Sequence, residues 1–210
     1  MPIFQQQEIN TWERFYRANF INSLTGFKSA SLISTVNESG KTNLGVFSSI
    51  VHIGSNPALV GFINRPVKAA PHTLDNIRST GVYTINHIHS SFIEQAHQAS
   101  AKYPAEVSEF EAVGLNPLYI KNIAAPFVSE SKVRFSVALK QIIPIELNDT
   151  FLVIGEVQYI HIDQDIIMTD GFLELEKCNS LCSNGTDGYY ETSLVGRYRY
   201  AKPGIKTKKL

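Results

Sequence analysis

Residues 42–87 read TNLGVFSSIVHIGSNPALVGFINRPVKAAPHTLDNIRSTGVYTINH. Three short apolar or alternating runs lie in this segment, at residues 44–52, 59–64 and 81–86. Breaker residues separate the runs, with Ser55-Asn56-Pro57 before the second and Arg65-Pro66 after it. Because runs of this length bounded by Pro, Asn and Gly are typical of strands joined by turns, the segment predicts a β-meander entering a barrel.

The second half of this segment predicts a helix that begins beside polar residues. Thr73 is a good N-cap, Asp75 falls in the first turn, and Gly81 follows as the C-terminal stop. The free amides and the positive dipole end of a helix start favour an anion such as a phosphate. Since Arg65 and His72 add further donors, the sequence predicts a phosphate site here. The alternative is an ordinary capped surface helix.

The rest of the chain continues the β pattern and adds helices. Apolar residues at helical spacing from Ile9 to Phe20 predict an amphipathic N-terminal helix, which Gly26 ends. Further predicted elements are a strand at residues 30–36, a helix at 91–100, a loop with a short helix at 102–117, and strands at 131–139, 151–162 and 166–168. The Asn184-Gly185 and Asp187-Gly188 pairs predict tight turns. We therefore expect a mainly β barrel with peripheral helices.

No repeat, low-complexity block or long linker divides the chain, so we expect one domain over residues 1–210. Within it, residues 1–26 form a helical extension and residues 200–210 a basic tail. Six basic residues and no acid lie in 197–210, which leaves thirteen basic against nineteen acidic residues elsewhere. A mildly acidic body does not favour nucleic acid as a partner. We interpret the tail as a solvated end or an arm on a neighbouring subunit.

The N-terminal residues mix charged and apolar side chains, so they lack the apolar core of a signal peptide. No run approaches the roughly 18 consecutive apolar residues that a membrane span needs. We therefore expect a cytoplasmic protein without membrane contact.

Several common catalytic signatures are missing from the sequence. It has no Gly-x-Gly-x-x-Gly, no P-loop, no Gly-x-Ser-x-Gly and no His-Glu-x-x-His. The two cysteines, Cys178 and Cys182, have no second Cys or His pair nearby to complete a zinc site, so we expect free thiols. His87 and His89 share one strand face, but the sequence positions no third metal ligand, and we assign them structural or site-adjacent roles.

Four motifs follow one another within residues 43–86. They are an Asn-x-x-x-x-Ser strand at Asn43–Ser48, an apolar strand at Ala58–Ile63, a Thr-x-x-Asn helix start at Thr73–Asn76, and a strand ending in Asn at Gly81–Asn86. In this order they resemble the flavin reductase-like family, the FMN-binding split barrels. Residues 94–104 and 109–115 are similar to the family's connecting segment, and residues 154–157 to its late barrel strand. The resemblance extends over roughly residues 20 to 200.

This resemblance implies an FMN-binding split β-barrel of the flavoredoxin or NADH:FMN oxidoreductase type, with a Greek-key-like barrel. The implied flavin contacts are Asn43, Phe47, Ser48 and Ser49 at the polar edge of the ring, Arg65, His72, Thr73 and Asn76 at the phosphate, and Asn86 and His87 where the next strand closes the site. No catalytic side chain is expected, because the flavin ring itself accepts the hydride. The resemblance also implies NADH or NADPH as electron donor, a homodimer, and a partner oxygenase or other acceptor.

Differences from the family pattern leave a second function open. Many members place Ala-Pro inside the first motif and Lys-Asp before the helix Thr, where this chain has Leu44–Phe47 and Pro71-His72. Several reductases of the family have a His in a Gly-rich turn near the C-terminus. Here no His follows His161, and Gly196–Tyr198 stands in that region. The alternatives are therefore an electron carrier or FMN-binding module without a nicotinamide site, and a split-barrel dimer that binds no flavin.

Overall fold

The computed structural model describes residues 1–66, 71–104 and 106–210. Its strands are β1 (Lys28–Ser29), β2 (Ser31–Val36), β3 (Thr42–Phe47), β4 (Val51–Ser55), β5 (Ala58–Asn64), β6 (Val82–His87), β7 (Pro117–Leu118), β8 (Phe127–Val128), β9 (Val133–Ile145), β10 (Thr150–Ile162), β11 (Cys182–Asn184) and β12 (Gly188–Tyr190). Seven of them form one antiparallel sheet in the order β3-β2-β6-β9-β10-β5-β4. The expected mainly β class is confirmed.

The large sheet curls into a split barrel because its two edge strands are consecutive in the chain. Residues 48–50 alone connect β3 to β4, so the two edges must come close together. The Ser49 side chain spans this gap, since its Oγ donates to the Ile63 carbonyl oxygen (3.2 Å) and accepts from the Ile63 amide (3.1 Å). The predicted strand at residues 44–52 is thus two strands, broken where the sheet changes edge.

The described chain also contains α-helices, some of which pack against β2 and β3. They are α1 (Gln6–Thr11), α2 (Arg14–Leu24), α3 (Pro71–Thr80), α4 (Ile93–Gln98) and α5 (Glu109–Val113). From α3, Leu74 and Ile77 pack into the barrel core against Ile33 and Phe62. A second core lies outside the sheet, where α4 and α5 cover apolar side chains of β2 and β3 such as Leu44. The open edge of β3 therefore lies beside both α3 and α5.

The N-terminal segment differs from the single amphipathic helix that the sequence predicts. The helix breaks at Trp12, and the Glu13 carboxylate accepts hydrogen bonds from the amides of Phe15 (2.7 Å) and Tyr16 (3.0 Å) as the N-cap of α2. No residue of α1 or α2 is buried. Gly26, with a φ of +75°, follows the end of α2 as predicted.

Three other predicted elements have different bounds. The strand expected at residues 166–168 is absent from the described chain, which has instead a 3₁₀ turn at Gln164–Ile166 and an isolated bridge between Ile167 and Leu173. The helix expected at 91–100 is a 3₁₀ turn at Ser90–Phe92 followed by α4. The strands expected at 131–139 and 151–162 form one long hairpin of β9 and β10, because their pairing continues to Ile145.

The C-terminal segment is fastened by Arg197. Its guanidinium lies over the Phe172 ring, 4.1 Å from the centroid, and forms an ion pair with Asp170. Beyond it, the Leu210 amide donates to the Arg197 carbonyl oxygen (3.0 Å), so the basic tail folds back on itself. Among the described residues, no helix is long and apolar enough to cross a membrane.

Candidate functional site

A cavity of about 760 Å³ runs along the free edge of β3, and we call it the β3-edge cavity. Its lining comes from β3 and the following connection (Asn43–Ser49), the start of α3 (His72, Thr73), the segment from α4 to Tyr103, Glu109 of α5, the hairpin of β11 and β12 (Ser183 to Tyr189), and Arg14 and Asn22 of α2. Cavities of this size accommodate cofactor-sized molecules. The structure thus brings elements from the whole length of the chain around one sheet edge.

The outer edge of β3 presents to this cavity peptide groups that no other described strand pairs. The Leu44 amide donates to Glu109 Oε2 at 3.1 Å, so it points away from β2. Alternate residues of an antiparallel edge strand face the same way, and Val46 must therefore also direct its N–H and C=O outward. A neighbouring donor and acceptor on one strand edge can pair with a planar –CO–NH– group, as another strand would.

The start of α3 lies against β3 through a buried contact. The Asn43 side-chain amide donates to Thr73 Oγ1 at 3.0 Å, and Thr73 is only 5% exposed. Because the Thr73 hydroxyl accepts this bond, it keeps a proton that it can donate to a ligand. The prediction that Thr73 caps the helix is wrong. The helix begins at Pro71, so Thr73 is its third residue, and the capping position lies outside the described residues.

Other predicted contacts divide between the cavity and the core. Arg65 is exposed and lines the cavity together with His72 and Ser48. The Phe47 ring instead turns toward the barrel interior and meets Phe62 edge to face, with centroids 5.0 Å apart. Phe47 therefore has its main contact with the core, although it also lines the cavity.

Asn76, Asn86 and His87 do not line this cavity. Asn76 Nδ2 donates to Thr35 Oγ1 at 3.0 Å, and His87 Nδ1 lies 2.9 Å from the Ser180 hydroxyl. Asn86 is fully buried, where Nδ2 donates to Thr84 Oγ1 (3.0 Å) and to the Leu32 carbonyl oxygen, while Oδ1 accepts from the Val128 amide (2.9 Å). These three side chains connect strands and helices instead of facing the space where a ligand fits.

Sequence reasoning missed several titratable residues of the cavity, among them Glu109, His97 and Tyr189. Glu109 is buried at the first position of α5, and burial raises the pKa of its carboxyl group. His97 of α4 meets Tyr189 of β12, with Nδ1 3.0 Å from the phenol oxygen. Burial, followed by the nearby Asp187, raises the pKa of Tyr189. The sequence predicted a short helix within residues 102–117, but nothing in it placed these residues at β3.

The remaining histidines and cysteines lie outside the cavity. Burial lowers the pKa of His87 and of His89 to about 4, with further contributions from His89 to the former and Lys132 to the latter. Cys178 and Cys182 are both free thiols, and burial raises their pKa values. Among residues 1–66, 71–104 and 106–210, no three His, Cys, Asp or Glu side chains are grouped as metal ligands.

A family model and a solved structure of 45% identity identify one family. The model of the flavin reductase like domain matches residues 25–172. A crystal structure of a split-barrel protein from Shewanella frigidimarina, provisionally designated a flavin reductase, superimposes with a TM-score of 0.92 at 45% identity, over 96% of this chain and 100% of that one. The uncharacterised protein YwrF of Bacillus subtilis is 23% identical over 196 residues, 88% of this chain and 93% of its own. Nitrilotriacetate monooxygenase component B from Bacillus cereus shares the fold, with a TM-score of 0.81 at 18% identity, over 92% and 96% of the two chains.

Proposed function

Because the chain belongs to the flavin reductase-like family, we propose that it binds FMN in the β3-edge cavity and catalyses reduction of flavin by NADH or NADPH. The observation that carries this proposal is the pairing of two recognition features in one cavity. An unpaired peptide edge at Val46 suits the imide edge of an isoalloxazine ring. A helix start with Thr73, His72 and Arg65 nearby suits a phosphate.

We place the phosphate at the beginning of α3. The Thr73 hydroxyl, oriented by Asn43, donates to a phosphate oxygen, and Arg65 and His72 supply further donors. The ring lies toward the Val46 and Ser48 end of β3, and the sugar-alcohol chain runs along the strand between the two. Asn76, Asn86 and His87 support this arrangement indirectly, by fixing the elements that carry the contacts.

Bound FMN supplies an electron-accepting ring, so the chain's own residues need only bind and orient the reactants. The peptide edge at Val46 sets the position of the ring in its plane. The hairpin of β11 and β12 and the Ala99–Tyr103 segment restrict the access of water over it. No carboxylate is required as an acid or base in this scheme. As further parts of the proposal, the protein is a cytoplasmic homodimer and passes reduced flavin to a partner oxygenase or another acceptor.

Anaerobic mixing of FMN-loaded protein with NADH or NADPH tests this function. We expect the flavin absorption near 450 nm to bleach in a single turnover, and steady-state oxidation of the nicotinamide with free FMN. If neither nicotinamide bleaches the bound flavin while dithionite does, the reductase proposal fails.

If the reductase proposal fails, the protein is better explained as an electron carrier. One feature of the C-terminal region supports this second function. No His follows His161 in the sequence, and the Gly196–Tyr198 segment is held by Asp170 and Phe172 instead of lining the cavity. A carrier would exchange electrons with dithionite or a protein partner and show no saturable binding of NADH or NADPH. A purified protein that stays colourless and ignores added FMN would contradict both functions.

A further inference from the structure

Glu109 lines the β3-edge cavity without an assigned role. It is 7% exposed and begins α5, and its Oε2 accepts the Leu44 amide at 3.1 Å. A second contact fixes this position, because the hydroxyls of Thr42 and Ser108 lie 2.9 Å apart and join the start of α5 to β3. The carboxylate is thus held against the strand edge by elements on both sides.

A carboxylate in this setting needs more donors than the protein gives it. An ionised carboxylate accepts about four hydrogen bonds, whereas among the described residues the donors to Glu109 are the Leu44 amide and its own amide. Burial is the largest influence and raises the pKa of Glu109, while its own amide, the Leu44 amide, His72 and Lys41 oppose this rise. Hydroxyl donors from a ligand would complete the shell of hydrogen bonds and offset the cost of burial.

The order of residues along β3 indicates which part of a flavin could reach Glu109. Thr73 meets Asn43, whereas the unpaired peptide group belongs to Val46, and Leu44 with its Glu109 contact lies between them. A phosphate directly at Glu109 would place two negative charges together, which is unfavourable in a partly dry cavity. The neutral hydroxyl groups that join the ring to the phosphate carry suitable donors and fit this middle position.

We propose that the Glu109 carboxylate accepts a hydrogen bond from the sugar-alcohol chain of the bound flavin and so selects flavins that carry a polyol chain. This inference rests on the proposed FMN site. It adds to the ring and phosphate contacts a third recognition group, which acts on FMN and riboflavin alike.

Titration of three flavins against Glu109→Gln, followed by flavin fluorescence, tests this role. Glutamine keeps the size of the side chain and an oxygen for the Leu44 amide, but it removes the charged acceptor. We expect riboflavin and FMN each to lose about tenfold in affinity, whereas lumiflavin, which has no polyol chain, changes less than twofold. Glu111→Gln is the matched control, since Glu111 is exposed on the same helix, and it should bind all three flavins as the parent does.

Unchanged riboflavin binding by Glu109→Gln would overturn the inference. Tighter FMN binding with riboflavin unaffected would also overturn it, because that pattern shows a carboxylate repelling the phosphate. If the parent bound no flavin, the proposed function itself would fail. Should the variant not fold, deoxyribityl analogues of riboflavin can be titrated against the parent protein. At least one should bind about tenfold more weakly than riboflavin, and equal binding of all analogues would contradict the role of Glu109.

Discussion

The contact between Asn43 and Thr73 joins the two parts of the chain from which the proposed phosphate site is built. The Asn43 amide donates to the Thr73 hydroxyl at 3.0 Å, and a second Nδ2 contact reaches Thr35 Oγ1 at 3.4 Å. Both side chains are buried. Because Asn43 occupies one lone pair of Thr73 Oγ1, the threonine hydroxyl can still donate its proton to a ligand oxygen.

Thr73→Ala should therefore weaken FMN binding selectively. A hydrogen bond to a charged group contributes on the order of 1.5 to 3 kcal/mol, so we expect a loss of roughly tenfold to a hundredfold for FMN and nearly none for riboflavin. Isothermal titration with both ligands measures this difference. Thr80→Ala is the control, because Thr80 is on the same helix but donates to the Asn76 carbonyl oxygen (2.8 Å). Equal losses for both flavins would mean that the phosphate binds elsewhere.

Residues near one another in the motif were easier to predict than those whose partners are distant in sequence. Asn43, Ser48, Arg65 and Thr73, which the sequence analysis assigns to one flavin site, all line one cavity. It could not place Asn86, because its amide is satisfied by residues as far away as Val128, and only the folded sheet brings them together. The flavin contacts themselves stay predictions.

The buried His89 side chain should make the stability of the folded protein depend on pH. It is 2% exposed, and Nε2 accepts the Lys132 amide at 3.2 Å, a bond that a protonated ring cannot accept. Since its folded pKa of about 4 is below the unfolded value of about 6.5, the folded state binds fewer protons. Stability is full above about pH 6.5 and is lost as the pH falls toward 4.

We expect the protonation of His89 to lower the free energy of unfolding by on the order of 1–2 kcal/mol as the pH falls from 7 to 5. Urea unfolding at the two pH values measures it. His89→Gln, which retains an acceptor for the Lys132 amide, should show a smaller decrease, whereas a substitution of the exposed His52 should leave the decrease unchanged. A pH dependence identical in the parent and in His89→Gln would contradict this explanation.

At the scale of elements, β3 combines a structural and a recognition role on its two sides. The peptide groups of its odd-numbered residues face β2, as those of Gly45 face Ile33, while Leu44 and Val46 direct their peptide groups to the cavity. An edge strand left open in this way usually requires a cover. Here the Glu109 carboxylate accepts a hydrogen bond from the Leu44 amide. In our proposal, a flavin covers the part of the edge around Val46.

Val46→Pro separates these two roles. Proline removes the outward N–H, a loss that edge strands tolerate, and its ring keeps an apolar contact with the core that Val46 touches, so we expect the fold to remain intact. We expect the affinity for lumiflavin, riboflavin and FMN to fall by about tenfold in each case, because the lost donor serves the ring. Gly45→Pro should instead remove a hydrogen bond to β2 and lower the melting temperature. Undiminished lumiflavin binding by a folded Val46→Pro protein would exclude the peptide edge as the ring site.

The sequence predicted most of the helices and strands, but it did not predict where a continuous apolar run divides into two elements. Alternation and turn residues predicted β2, β5 and β6 closely, because each is bounded by breakers. Each of the apolar runs at 44–52 and 9–20 spans two elements in the structure. The apolar pattern continues across the junction, so the sequence does not show the break. The tertiary contact of Ser49 with Ile63 and the local cap that Glu13 forms on the following turn show where the elements end.

At the scale of the whole molecule, α2 leaves a large apolar surface uncovered. Phe15, Tyr16 and Leu24 are 74%, 56% and 67% exposed, and a shallow hollow lies between them. Apolar patches of this kind mark interaction surfaces. A second copy of the chain is the partner that the family implies, and α2 also lines the β3-edge cavity through Arg14 and Asn22.

We therefore predict a dimer of mass twice 23.4 kDa, measured by sedimentation or light scattering at micromolar concentration. Phe15→Asp combined with Leu24→Asp should shift the protein to monomers, because each introduces a charge into the buried interface. Leu147→Asp is the control, since Leu147 is 98% exposed in the turn between β9 and β10. A parent protein found only at 23.4 kDa would contradict the dimer.

A crystal structure of the parent protein with FMN tests the proposed flavin site most directly. We predict electron density for one FMN in each β3-edge cavity. A phosphate oxygen should lie about 2.7–3.2 Å from Thr73 Oγ1, and the imide edge of the ring should pair with the Val46 peptide group. An FMN whose phosphate lies away from α3, or an empty cavity in crystals soaked with millimolar FMN, would contradict it.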